Sequence, residues 1–230
     1  IRQTVVATSQ VPLYVNDPVA VTAEGTPVRI VRNAETNLGD LCADAYRALS
    51  NADIAFVNGG GIRKQIEAGD ITLDDIYSVH PFGNTMCVIR VTGQQVLDAL
   101  EWGARAVPSE NGGFLQVSGL TYEIHTGVAS SAEKDENGMF TRVSGEYRVK
   151  NVMVGGQPLE LDKTYTLASH NYMLLGHGDG YTMFDGCEVL GEDMMVDNQV
   201  LITYITTTLG GVVGEQYANP YGDGRIVAVE

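Results

Sequence analysis

Cysteine is scarce: Cys42, Cys87 and Cys187 are an odd number, widely spaced, with no Cys-x-x-Cys pair. That excludes a disulfide framework and a cysteine-built zinc centre, and allows one bridge at most. The four histidines supply no His-x-x-x-His or His-x-His pair. His170 and His177 lie seven apart with Asp179 near them, while His80 and His125 are distant, so the spacing gives no metal centre. Basic residues are few, 14 against 29 acids, for a net charge of −15. Such a balance argues against nonspecific binding to nucleic acid or to an anionic membrane, but leaves room for a small anionic ligand. The apolar runs are too short to span a bilayer and no signal peptide is visible. A Gly-x-Ser-x-Gly nucleophile turn is absent, and no acid pair stands out from the solvated background. No group able to break a bond is recognisable.

Glycine, by contrast, is plentiful at 27 residues, and it clusters. Val57-Asn58-Gly59-Gly60-Gly61-Ile62-Arg63 closes an apolar run, 53–57, that reads as a buried strand. Three glycines after a strand place backbone where a Cβ would intrude. Arg63 leaves the turn with a planar fork of donors suited to phosphate or carboxylate. The plainer reading is a tight turn with a solvated arginine.

Along the chain, residues 1–31 hold β-branched runs at 4–7, 19–23 and 28–31, separated by Pro12, Pro18 and Pro27, and read as edge strands and turns. Thr36 or Asn37 caps a helix whose apolar face is Leu38, Leu41, Cys42, Ala45 and Leu49. Arg32 lies just upstream, where an anion could meet its guanidinium and free helical N–H groups. A second cap at Thr72 opens a short helix to about Val79. The Pro-Gly loop His80-Pro81-Phe82-Gly83-Asn84 follows, then a strand over 85–91 and an amphipathic helix after Thr92-Gly93. Strands are expected over 114–117, 120–126, 149–154, 164–169 and 226–229, a polar hairpin without chemistry over 127–147, and a helix over 198–209 behind an Asp197 cap. The alternation is irregular, so the fold class is α/β or α+β in one domain with a mixed sheet.

The second informative stretch, 169–181, ends in Gly178-Asp179-Gly180-Tyr181. Asp179 between glycines is expected as an exposed acceptor on a sharp turn, fit for vicinal hydroxyls; an EF-hand's alternating acids are missing. Phe82 and Tyr172 sit on separate glycine-containing loops and could clamp a planar base. Asn58 offers the donor–acceptor pair of a base edge, and Arg32 and Arg63 suit phosphate. For each ring taken singly, ordinary core packing is the competing reading.

Five stretches occur in order: Glu35-Thr36-Asn37-Leu38-Gly39-Asp40, Asn58-Gly59-Gly60-Gly61-Ile62-Arg63, Gly69-Asp70-Ile71-Thr72, Pro81-Phe82-Gly83-Asn84 and Gly178-Asp179-Gly180-Tyr181. Together they resemble the C-terminal domain of the 5′-nucleotidase family, which also includes UDP-sugar hydrolases and 2′,3′-cyclic nucleotide phosphodiesterases. The likeness runs from about residue 27 to Gly224-Arg225-Ile226. It implies a four-layer α/β/β/α sandwich over 27–230, with 1–26 an extended lead-in from an N-terminal domain. It also implies a base held between Phe82 and Tyr172. The substrate-binding set becomes Arg32, Asn58, Gly60, Arg63, Phe82, Asn84, Tyr172 and Asp179, with no catalytic residue and no metal ligand. One departure stands out: the segment from Tyr172 to Asp179 is a residue longer than in the best-known members, and His177 occupies a usual glycine.

The family carries its two divalent metal ions in an N-terminal metallophosphoesterase domain, whose Asp-x-His, Gly-Asn-His-Glu and Gly-His-Thr-His motifs are absent here. The expected function is therefore the nucleotide- or nucleoside-binding half of a secreted or cell-envelope hydrolase. The fragment by itself, which begins at Ile1 and reads as a piece of a longer chain, is expected to be inactive. A stand-alone nucleoside- or nucleotide-binding module, or a purely structural wall domain, are the alternatives.

Overall fold

The computed structural model describes residues 1–230. Strands β1 (Val5–Ser9), β2 (Asn16–Val21) and β3 (Pro27–Arg29) open the chain. The expectation of edge strands here needs correcting for β1, which lies in the middle of a three-stranded sheet. The cause is apolar: Ala7, Val11, Leu13 and Val15 are buried in the same core as helix α1 (Asn37–Ser50). Thr36 caps α1 by accepting from the Gly39 N–H, and Asn51 ends it in the left-handed conformation.

Next come β4 (Ile54–Asn58), a single 3₁₀ turn at Gly59–Gly61, β5 (Gly69–Thr72) and α2 (Leu73–Val79). Then β6 (Met86–Thr92) passes straight into α3 (Gly93–Gly103). Both helices start with a reciprocal capping box, Thr72 with Asp75 and Thr92 with Gln95. Each box satisfies donors the helix cannot, which contributes about 1 kcal/mol. β7 (Leu115–Ser118) and β8 (Leu120–His125) follow, then the hairpin of β9 (Ala132–Lys134) and β10 (Phe140–Val143). The chain continues through β11 (Val149–Val154), β12 (Gln157–Pro158), β13 (Thr164–His170), α4 (Asn171–Leu174) and β14 (Glu188–Gly191). It ends with α5 (Asp197–Thr203), β15 (Val212–Val213) and β16 (Ile226–Val229). Asp197 is the first residue of α5, not its cap; its carboxylate accepts from the Asn198 and Asn84 N–H groups instead. The expected helix to Leu209 loosens into a π-helical turn at Tyr204–Thr208.

The organising sheet has the order β14-β6-β13-β4-β7. Side chains alternate across it: Ile54 and Phe56 enter one core, Ala55 and Val57 the other. One core packs α1, α2 and α5 on the sheet; the other packs α3 and the four-stranded sheet β12-β11-β8-β16. The mixed α/β architecture expected from the sequence is the one observed.

Strand β16 is fixed to α1 by ion pairing. Arg225 donates to both oxygens of Asp44 at 2.7 and 3.0 Å, and Glu35 accepts from the N–H groups of Asp223 and Ile226. Asp40, 2% exposed, has its pKa raised to about 10 by burial and by its hydrogen bond with Glu35.

In this sheet only β4 and β13 are parallel neighbours, so their carboxyl ends lie together. β6 begins beside the end of β13, with His170 opposite Met86, and β7 begins beside the end of β4, with Asn58 opposite Leu115. The four loops at this edge, after β4 and β13 and before β6 and β7, converge by register alone. Ligands of open α/β sheets gather at such an edge.

Candidate functional site

These loops enclose a cavity of about 430 Å³ lined by Arg32, Asn58, Gly60, Gly61, Arg63, Phe82, Asn84, Gly112, His170, Tyr172 and Asp179. The size is ordinary for a small-molecule site, roughly 300–1,000 Å³. All eight residues singled out in the sequence face this one space. Gly61, Gly112 and His170 are additions.

The glycine turn is forced by close approach. A Cβ on Gly59 would fall 2.2 Å from the Val31 carbonyl oxygen, and one on Gly61 would fall 2.7 Å from Asn58 Oδ1. Gly60 donates its N–H to the Gly112 carbonyl at 2.8 Å, tying the turn to the loop before β7. Underneath, desolvation lowers the pKa of buried His80, and its Nδ1–H donates to the Gly61 carbonyl at 2.9 Å.

Asn58, the last residue of β4, bridges the walls. Its Nδ2 donates to Asp179 Oδ2 at 2.7 Å and its Oδ1 accepts from His170 Nε2 at 2.8 Å. The Tyr172 hydroxyl donates to Asp179 Oδ1 at 3.3 Å, and its pKa is raised by burial and by that carboxylate. Asp179 was expected to be an exposed acceptor. It is half-buried, because Asn58 and Tyr172 reach it and the Gly113 backbone closes on its Cβ side.

The loop that carries it is wound tightly. His177 and Asp179 both adopt left-handed backbone, φ near 56°, the region that favours glycine. The His177 side chain is anchored outward on Asp185.

The two arginines have no carboxylate partner. Arg2, Arg29, Arg90, Arg142 and Arg225 are ion-paired elsewhere; Arg47, Arg105 and Arg148 donate to backbone carbonyls, whereas Arg32 has no hydrogen bond at Nε and Arg63 reaches only one carbonyl at 3.4 Å. Arg32 Nε is buried without a hydrogen bond, and burial lowers the pKa of that guanidinium, as do Arg29 and Arg63 nearby. Arg63 reaches the Gly60 carbonyl at 3.4 Å and stands 5.7 Å from the Phe82 ring centre. The expected anion site at the amino end of α1 is not formed. There the Leu38, Gly39 and Asp40 N–H groups are taken by Asn37, Thr36 and the chain itself. Arg32 turns into the cavity.

Phe82 and Tyr172 are 59% and 44% exposed at the cavity wall, so neither is a core ring. The Phe82–Asn84 loop is held from behind: Asp197 accepts from the Asn84 N–H, and Asn171 and Thr85 exchange hydrogen bonds at 3.0 and 2.8 Å.

Glu35, Asp40 and Asp223 are the carboxylates close enough to share a cation, and they lie on the β16 clamp, not in the cavity. Arg225, 3.5 Å from Asp40 and 3.0 Å from Asp223, already supplies their positive charge.

The loop before β7 and His170 were not given a binding role from sequence. Asn111-Gly112-Gly113 ahead of an apolar strand was the available signal for the loop. His170 had been weighed only as a metal ligand, and its partner lies 112 positions away.

Comparison with known proteins agrees on one lineage. The chain is 36% identical over 203 residues to the trifunctional nucleotide phosphoesterase protein YfkN of Bacillus subtilis, covering 86% of this chain and 13% of that protein. It is 34% identical over 176 residues to a 5′-nucleotidase of Vibrio cholerae, covering 76% and 28%. The crystal structure of a 5′-nucleotidase precursor from Thermus thermophilus superposes with a TM-score of 0.78 at 31% identity, over 99% of this chain and 40% of that one. The chain thus spans less than a third of the length of these two curated relatives. Residues 5–186 match the family described as 5′-nucleotidase, C-terminal domain, and the chain belongs to that family.

Proposed function

We propose that this domain is the nucleotide- or nucleoside-binding half of a metal-dependent 5′-nucleotidase-type phosphoester hydrolase. One observation carries the reading. In a chain of net charge −15, two guanidiniums without acidic partners share a cavity with two exposed rings and a pre-oriented carboxylate. A guanidinium nitrogen buried without a partner, as Arg32 Nε is, costs free energy that a bound anion would offset, while the exposed Arg63 stays solvated and free to meet one. A phosphate meets Arg32 and Arg63, the base stacks between Phe82 and Tyr172 with Asn84 at its edge, and the ribose hydroxyls donate to Asp179.

The residues of the cavity bind and orient; none is placed to attack phosphorus. In such a hydrolase a metallophosphoesterase domain holding two divalent ions would supply the metal-activated water. Closure of that domain over the cavity brings the phosphate to it. The same family assignment makes a secreted or cell-envelope location the natural setting.

The test is to titrate AMP into this chain by calorimetry and assay phosphate release with Mg²⁺, Mn²⁺ or Zn²⁺. Saturable binding with no turnover is expected, with turnover appearing when the full-length protein is used. Hydrolysis by the fragment at the full-length rate would overturn the division of labour. A full-length protein that binds AMP but releases no phosphate would favour a stand-alone binding module.

A further inference from the structure

We propose that His170 is a positioning residue: it fixes the side-chain amide of Asn58 so that the amide nitrogen, not the oxygen, faces Asp179. The inference rests on the nucleotide-binding reading for its consequence, but on geometry alone for its substance.

An asparagine amide has two faces of similar shape and opposite polarity, and rotation by half a turn exchanges them. Turned the wrong way, Asn58 would set its oxygen against Asp179 Oδ2, and two acceptors would meet at 2.7 Å. What selects the orientation is the group on the other side. Only His170 Nε2 contacts Asn58 Oδ1 from there, at 2.8 Å, and the bond requires the proton on Nε2. The opposite nitrogen, Nδ1, is buried with no well-formed partner, having only the carbonyl of His170 itself nearby, so Nε2 is the better place for the proton. The ring itself is fixed: it is 4% exposed and meets Tyr46 edge-on at 6.5 Å and Tyr172 at 5.9 Å.

The groups facing the imidazole keep it a neutral donor. Burial, aided by nearby His80, lowers its pKa to about 3. Asn58, Tyr46 and Tyr172 carry no charge, and Asp179 is reached only through Asn58 and Tyr172. A protonation switch at ordinary pH is therefore absent, and the relay runs one way: His170 donates to Asn58, Asn58 donates to Asp179, and the remaining lone pairs of Asp179 point to the cavity. Gly61 belongs to the same device, since a Cβ there would press on Asn58 Oδ1.

Two variants and a spectroscopic measurement test this. Glutamine at 170 can present an amide N–H near the place of Nε2; leucine cannot. His170→Gln is expected to hold AMP within roughly threefold of the parent, and His170→Leu to lose roughly tenfold or more, the scale of one oriented hydrogen bond to a charged partner. Equal losses for both variants, or none for either, would overturn the assignment. Independently of any ligand, the ¹⁵N shifts of the His170 ring should report the Nε2-protonated neutral form from pH 5 to 8. An Nδ1-protonated ring, or one that titrates in that range, would sink it. A parent chain that binds no AMP would remove the nucleotide reading, and the ring shifts would then decide the role of His170 alone.

Discussion

Asn58 and Asp179, 121 residues apart in sequence, meet at 2.7 Å across the mouth of one cavity. The contact joins the end of β4 to the loop after α4. Each oxygen of the carboxylate accepts one protein hydrogen bond, from Asn58 and from Tyr172, and the group still lines the cavity.

Removing the Phe82 ring should weaken nucleoside binding without unfolding the domain. Because the side chain is 59% exposed, Phe82→Ala leaves the core intact, and thermal melting should shift by little. The expected loss in adenosine affinity is about 1–3 kcal/mol, the scale of base–aromatic stacking. Calorimetry reads it directly; unchanged affinity would reduce the ring to a bystander.

Asp179→Ala should erase the discrimination between ribose and dideoxyribose. If the carboxylate takes the sugar hydroxyls, the parent prefers AMP to 2′,3′-dideoxy-AMP by roughly 1.5–3 kcal/mol, and the variant does not. A preference that survives the substitution would put the sugar elsewhere.

Replacing Arg32 or Arg63 with alanine should cost AMP more than adenosine. Each guanidinium that meets the phosphate contributes about 1.5–3 kcal/mol as a charged hydrogen bond, and adenosine offers no such group. The salt dependence of AMP binding should flatten in both variants. Equal losses for the two ligands would mean that the arginines shape the cavity and do not read charge.

The β16 clamp predicts a pH signature in stability. With its pKa raised to about 10 in the fold against about 4 in the unfolded chain, Asp40 keeps a proton that unfolding releases. Its stabilising contribution is therefore complete below about pH 4 and erodes as pH rises towards 10. Asp40→Asn keeps the site neutral, so the melting temperature of the variant relative to the parent should climb between pH 5 and 9. A flat or falling difference would show that Asp40 is ionised beside Arg225.

Local devices were legible in the sequence because their physics is local. Thr36, Thr72 and Thr92 cap helices where their side chains can reach the next turn, and the strand into Asn58 and the turn after it are as expected. Non-local choices were not legible. β14 is a short edge strand with Val189 and Leu190 exposed, so it lacks the alternation that marks a half-buried strand. Asp197 looks like a cap by composition, yet it sits one residue inside the helix because the Asn84 N–H claims its carboxylate. The residues that line the cavity could be named from their motifs, whereas their support could not. The role of His170 exists only once β13 is laid beside β4.

Tyr172 and Asp179 ride on one short stiff arm, joined at its two ends by the phenol–carboxylate bond and braced by left-handed backbone at His177 and Asp179. If the base lies against Tyr172 and the sugar on Asp179 as proposed, widening the slot for a bulkier heterocycle would swing the sugar acceptor as well. Preferences for base and for pentose should drift together in descendants of this domain, and an engineer wishing to alter the first alone would do better on the opposite bank, at Phe82.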